Sequence, residues 1–135
     1  MSDVTLTRSQ RLTDRVPYAY SATTAHPAPL IFFAGACPLD AQGAVVGVGD
    51  LEEQARQCMA NLLVALDDAG ASLSDVLFLR VLVATVDAGD LGRVWTIVHD
   101  AFADHEVPGT LHGVTVLGWP GQLVEVEAVA ARPTR

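Results

Sequence analysis

Positive charge is what this sequence has least of. Its 135 residues hold 8 Lys plus Arg against 16 Asp plus Glu, for a net charge of −8 and a pI near 4.7. Such a chain repels phosphate backbones, and no basic cluster reverses the field locally, so nucleic acid is excluded as the expected partner. Cysteine is almost as scarce. Cys37 and Cys58 have neither CxxC nor zinc-finger spacing, which argues against a disulfide framework or a metal site and for reduced thiols in the cytoplasm. No apolar run reaches the length needed to span a bilayer. The opening MSDVTLTRSQ lacks the charged-then-apolar profile of an export signal, so no membrane partner is expected. Half of the residues are hydrophobic and only 18% are charged, which rules out a disordered chain. The length suits a single domain over residues 1–135 with its own core, and the apolar excess points to an oligomer with a buried interface.

The first third of the chain reads as β structure. Val4 to Leu6 alternates weakly, Tyr18 to Ala22 is aromatic and small, and Leu30 to Ala34 is a compact hydrophobic strand. Proline at positions 17, 27, 29 and 38 punctuates these segments, and Ala41-Gln42-Gly43 reads as a turn. The period then changes. Asp50 with Glu53 is an acidic variant of the capping box and starts a helix. Its stripe is Leu51, Ala55, Cys58, Met59, Leu62 and Leu66, and Gly70 is placed just past its end. Asp75 to Thr85 returns to strand with one charge, Arg80. Asp90 is expected to cap a second helix with Leu91, Val94, Trp95, Val98 and Phe102 as its apolar stripe. Strands at His112 to Leu117 and Leu123 to Ala130 follow, separated by Gly118-Trp119-Pro120-Gly121.

The order ββ(β)αβαββ predicts an α+β fold in which two helices cover one face of a mixed sheet. The other face keeps Phe32, Phe78 and Leu82, and burying them requires copies of the same chain.

Common catalytic motifs are absent: there is no GxGxxG, no GxxxxGK[ST] and no GxSxG. His99 and His105 are six apart and share no helical face, so they make no zinc pair. Glu125 and Glu127 in LVEVEAVA have i, i+2 spacing, which puts both carboxylates on one strand face. They are either a solvated face or the lining of a polar cavity where a carboxylate holds a water or takes a proton. Arg80 shares parity with Phe78 and Leu82. It is either a structural ion pair with Glu125 or Glu127, or a bidentate anchor for a substrate carboxylate. Cys58 lies in the helical stripe and reads as core. Cys37 sits in the stretch LIFFAGACPLD, where a buried strand breaks off at a glycine. It is either packing or a thiol delivered to the edge of a pocket.

Taken in order, Pro17-Tyr18, FFAGACPLD, EQARQCMANLLVALDDAGASLSDV, VHDAF and LVEVEAVAAR resemble the RidA superfamily, the YjgF-type reactive intermediate or imine deaminases, over nearly the whole chain. The resemblance implies a chorismate-mutase-like fold, a homotrimer whose sheets form a central barrel, and small-molecule clefts between subunits. It also implies hydrolysis of enamines and imines with no cofactor. The alternatives are another acid/base step on a bulkier substrate of a specialised pathway, or a noncatalytic module that senses or carries a metabolite in the same clefts. Carried over residue by residue, Tyr18 matches the family tyrosine, Gly35 the strand-ending glycine and Glu125 the glutamate that positions water. Ala36 and Cys37 then line the cleft. The family's carboxylate-binding arginine, in Pro-x-Arg-x-Cys, has no counterpart: Pro108 is followed by Gly109, and Thr110 or Leu111 falls at the arginine position, with His112 or Gly113 near the cysteine. Ala34 stands where the family has serine, and Trp95 where it has asparagine. Trp95, Leu111 and His112 imply a more apolar pocket with one titratable base, in which His112 shuttles a proton and Arg80 is the candidate substitute anchor.

Overall fold

The computed structural model describes residues 2–134. Among them lie β1 (Val4–Thr7), β2 (Ser21–Thr24), β3 (Leu30–Phe32), α1 (Leu51–Asp68), β4 (Val76–Ala84), α2 (Ala88–Phe102), β5 (Gly109–Val114) and β6 (Val124–Ala131). β1 and β2 pair with each other as a separate antiparallel sheet, and the remaining strands form one sheet in the order β3-β6-β4-β5. β4 and β5 run parallel, a pairing that needs a crossover, and α2 supplies it. β6 is antiparallel to both of its neighbours. The fold is therefore α+β with two helices packed on a mixed sheet.

Period decides which side of each strand is buried. Leu79, Val81 and Val83 of β4 and Val124, Val126 and Ala128 of β6 point at the helices and are buried. The stripe of α1, Leu51 through Leu66, is buried to the last residue, and Val94, Val98 and Phe102 of α2 close the layer. Each fully buried Leu or Val contributes about 1.5–3 kcal/mol. The opposite sheet face is open in the single chain, with Phe32 75% exposed and Leu30 53% exposed.

Local chemistry sets the element ends. Asp50 accepts from the amides of Glu52 and Glu53 and caps α1. The amide of Asp50 goes to the Gly47 carbonyl instead of to Glu53, so only half of the expected box is present. Gly70 follows the C-cap at φ +76°, a conformation that glycine adopts without steric cost. Asp40 accepts from the amides of Gln42 and Ala44, building the expected turn before Gly43.

Several boundaries differ from the sequence reading: β3 ends at Phe32 and β5 at Val114, each earlier than expected, and others move for local reasons. Asp87, not Asp90, caps α2 by accepting from the Gly89 amide, because Asp90 is taken up by the Thr85 hydroxyl at 2.7 Å. β5 begins at Gly109, three residues before the expected strand, because it pairs with β4 so closely that any Cβ at Gly109 would sit 2.3 Å from the Leu79 carbonyl oxygen. The second strand also shifts, to Ser21–Thr24, which leaves Tyr18 in the loop before it.

Candidate functional site

The stretch LIFFAGACPLD ends β3 in a bulge. Phe32 pairs with Val129 and Ala36 pairs with Val126, four residue steps against three on β6. An extra residue of this kind bends a strand and re-aims its side chains, and bulges are common beside active sites. Gly35 lies within it, and Glu125 fills the space where a side chain would be. A Cβ on Gly35 would lie 2.6 Å from the Glu125 Cδ. The glycine is needed for close approach, since the carboxylate of β6 rests on bare backbone.

Cys37 completes the group. Its Sγ lies 3.3 Å from the Glu125 Oε1 and 3.5 Å from the Gly35 carbonyl oxygen. Burial pushes the Cys37 thiol above its ordinary 9.0, and the bond to Glu125 and that residue's charge push it further. The side chains of Gln122 and Trp119 act the other way to a smaller extent. Ala36 exchanges both backbone hydrogen bonds with Val126, at 2.7 and 3.1 Å, and this pins the turn beside Glu125.

The remaining sequence candidates form a second group. Pro17, Tyr18, Trp95, Gly109, Thr110 and Leu111 line a cleft of about 280 Å³ at the β5 edge of the sheet. Trp95 comes from α2 and Leu111 packs against the core, so the wall is mainly apolar. Tyr18 meets Tyr20 edge to face at 6.0 Å. β6 and β5 are separated by β4, so the two groups lie on different parts of one chain. His112 shares a cross-strand row with Leu82 and Glu125. Two strand spacings, about 10 Å, separate it from the carboxylate, so the two side chains do not meet within a protomer.

Arg80 resolves into one of its two readings. Its guanidinium pairs with the Glu127 carboxylate at 3.2 Å and lies 5.6 Å from the Phe78 ring centroid. Both partners of the pair are part-exposed, so it is worth little by itself, about 0–1 kcal/mol. It nevertheless occupies the cation that an incoming carboxylate would need. Thr110 stands in the same row, exposed on the open face, whereas Leu111 points toward the helices.

The supports of both groups escape sequence reasoning. Asn61 donates to the carbonyls of Cys37 and Leu39, at 2.8 and 2.9 Å, and ties the GACP turn to α1. Fully buried Gln54 donates to Gly47 and Gly121 and accepts from the Leu123 amide, joining α1 to the loop before β6. The signal was two amides seven residues apart on one helical face, interrupting an apolar stripe. At the other group, Arg8 donates to the carbonyls of Asp14, Val16 and Tyr18 and to the Glu106 carboxylate, and so organises the loop that carries Tyr18. Nothing in the spacing of Arg8 announced this.

Among the described residues no group of three or more His, Cys, Asp or Glu is placed to hold a metal ion. All eight basic residues are arginine, so no side-chain amine is available to form a Schiff base. The chemistry on offer is a carboxylate, a thiol, exposed backbone and an apolar cleft.

Two helices packed on one mixed sheet, with these two groups set on it, define an α+β protein. Residues 10–132 match the family described as Endoribonuclease L-PSP, the YjgF/RidA family, and the chain belongs to it. A RutC family protein from Pyrococcus abyssi is 33% identical over 101 residues, which is 74% of this chain and 76% of the relative. Among solved structures, the Rid family protein YyfB of Yersinia pestis, described as of unknown function, superposes with a TM-score of 0.88 at 26% identity. That match covers 96% of this chain and 98% of YyfB. Rv2704 of Mycobacterium tuberculosis, described as a member of the YjgF/YER057c/UK114 family, gives a TM-score of 0.65 at 28% identity, covering 95% of this chain and 98% of the other. No helix among the described residues is long and apolar enough to cross a membrane.

Proposed function

We propose that this protein hydrolyses small imines or enamines without a cofactor, in clefts formed between three copies of the chain in the cytoplasm. One observation carries the reading: in a chain of this family, the Glu125 carboxylate rests on the bare backbone of Gly35 at a strand bulge. Oε1 faces the Cys37 thiol, and Oε2 accepts no hydrogen bond among the described residues, which leaves it for a water.

Glu125 accepts a proton from water as the water oxygen bonds to the imine carbon. The C=N electron pair moves to nitrogen, which takes up a proton, giving a carbinolamine. Glu125, its first proton returned to that nitrogen, then carries the hydroxyl proton to the amino group, the C–N bond breaks with its electron pair to release ammonia, and an oxygen lone pair closes the carbonyl. General-base assistance of this kind is worth about 10²–10⁴-fold.

The Tyr18–Trp95 cleft holds the rest of the substrate and is brought to Glu125 by a neighbouring copy. The distance between the two groups in one chain and the open sheet face both support that arrangement. Thr110 at the position of the family arginine favours substrates that do not depend on a bidentate carboxylate clamp. His112 serves as proton shuttle only across the protomer boundary. The acidic surface argues against ribonuclease activity despite the family's description.

The test is ammonia release from freshly generated 2-aminoacrylate and a panel of longer 2-imino acids and enamines, with semicarbazide trapping as the control. Acceleration by the wild type that falls about 10²–10⁴-fold in Glu125→Gln is the expected result. No acceleration across the panel overturns the reading. In that case the missing guanidinium favours a binding module, for which Glu125→Gln leaves ligand affinity largely intact.

A further inference from the structure

We infer that Cys37 is a positioning residue for Glu125, its thiol donating to Oε1 and thereby directing Oε2 toward the reacting water, and that it is not a nucleophile. This rests on the hydrolase reading for its catalytic consequence, but the thiol–carboxylate pairing stands on geometry alone.

The pair is built from both sides. Gly35 leaves no side chain between β6 and the turn, which is why Glu125 can fold down to within 3.3 Å of the sulfur. Asn61 fixes the carbonyls of Cys37 and Leu39, and the Ala36–Val126 bridge fixes the residue before the thiol. The backbone that carries the sulfur is therefore held from both α1 and β6. One thiol proton has two acceptors in reach, the Glu125 carboxylate and the Gly35 carbonyl. Charge favours the carboxylate.

Nucleophilic catalysis asks for the opposite surroundings, because reactive thiolates sit beside cations, imidazolium or helix N-termini. The titratable groups facing Cys37 are Glu125 from β6 and the buried thiol of Cys58 from α1. Glu127, further along the same strand face, is paired with Arg80. None of these stabilises a thiolate, and burial of Cys37 works in the same direction. The thiol stays protonated and is available as a donor.

Two measurements on the full chain test this. In the first, the rate of Cys37 alkylation by iodoacetamide is followed against pH by mass spectrometry, site by site, in the wild type and in Glu125→Gln. Buried Cys58 serves as the unreactive internal reference. Removing a charge 3.3 Å from the sulfur raises the Cys37 rate at neutral pH by roughly fivefold or more, even with water-like screening. Superposable pH profiles overturn the pairing, whatever the enzyme's activity. In the second, Cys37→Ala lowers kcat on the best imine of the panel by about tenfold or more with KM little changed, and Cys37→Ser restores most of it. A Cys37→Ala variant with full kcat, or a serine variant no better than alanine, overturns the positioning role. A dead serine variant combined with covalent trapping of substrate on the wild-type sulfur establishes the nucleophile instead. Should the wild type turn over nothing, the hydrolase reading has failed, and the alkylation profiles alone decide whether the pair exists.

Discussion

Glu125 shows how much one position can reveal before any fold is known. Its i, i+2 spacing with Glu127 placed both carboxylates on one strand face, and both do lie there. What spacing could not give is their different fates: Glu127 pairs with Arg80, whereas Glu125 lies against Gly35 and Cys37. Position 110 carries a related ambiguity. Either Thr110 or Leu111 was a candidate for the missing arginine. Strand alternation gives the two different surroundings, since Leu111 packs toward the core and Thr110 faces out, where a long side chain can be accommodated. Thr110→Arg is therefore expected to lower KM for 2-imino acids by about tenfold or more, the worth of a charged hydrogen bond. Imine or enamine substrates without a carboxylate should show no gain, and comparing KM across the two substrate sets checks it. Cys58 makes a separate point about pH. It is fully buried in α1, and burial, with smaller contributions from Cys37 and Glu125, drives its thiol far above the ordinary 9.0. Folding thus holds the proton while the unfolded chain releases it. The associated stability is present below pH 9.0 and is lost as pH rises above it, at up to about 1.4 kcal/mol per pH unit. Urea titrations from pH 8 to 10.5 should show a steeper alkaline decline for wild type than for Cys58→Ala.

α1 was the most legible element, because an acidic cap, a 3.6-residue period and a terminal glycine all agree. Its cap can be tested directly. Asp50→Ala removes the acceptor for two amides and should cost about 1 kcal/mol in urea unfolding, while Asp50→Ser should cost much less. The start of α2 was misread for an instructive reason. Asp87 and Asp90 are both capping residues by type, and the choice depended on the Thr85 hydroxyl engaging Asp90. β5 was misread because two glycines weaken its strand signal. They are present because β4 and the chain at Thr85 come too close for a Cβ at Gly109 or Gly113. Local propensity cannot report a neighbour that is some thirty residues away.

The whole molecule presents one covered sheet face and one open one. Leu30, Phe32, Phe78, Leu82 and Val129 lie on the open side around the Arg80–Glu127 pair. Phe32→Glu places a charge on the exposed β3 edge of that surface. It is expected to convert the proposed trimer to monomers in sedimentation or light-scattering measurements, and to abolish turnover if the cleft is shared between copies. A monomeric wild type with full activity would sink the shared-cleft arrangement.

Much of the architecture was already written in order and period: which residues are helical, which strand faces are buried, and that the sheet has two helices on one side. Those properties depend on neighbours along the chain and on binary patterning, which a sequence displays directly. The pairing of Glu125 with Cys37, the choice of Glu127 over Glu125 as the partner of Arg80, the separation of His112 from the carboxylate, and the roles of Asn61, Gln54 and Arg8 did not follow from pattern. Each is a contact between residues far apart in sequence, fixed by strand register, a single bulge and the close approach that glycine permits. Only packing in three dimensions selects among the many partners such side chains could have taken.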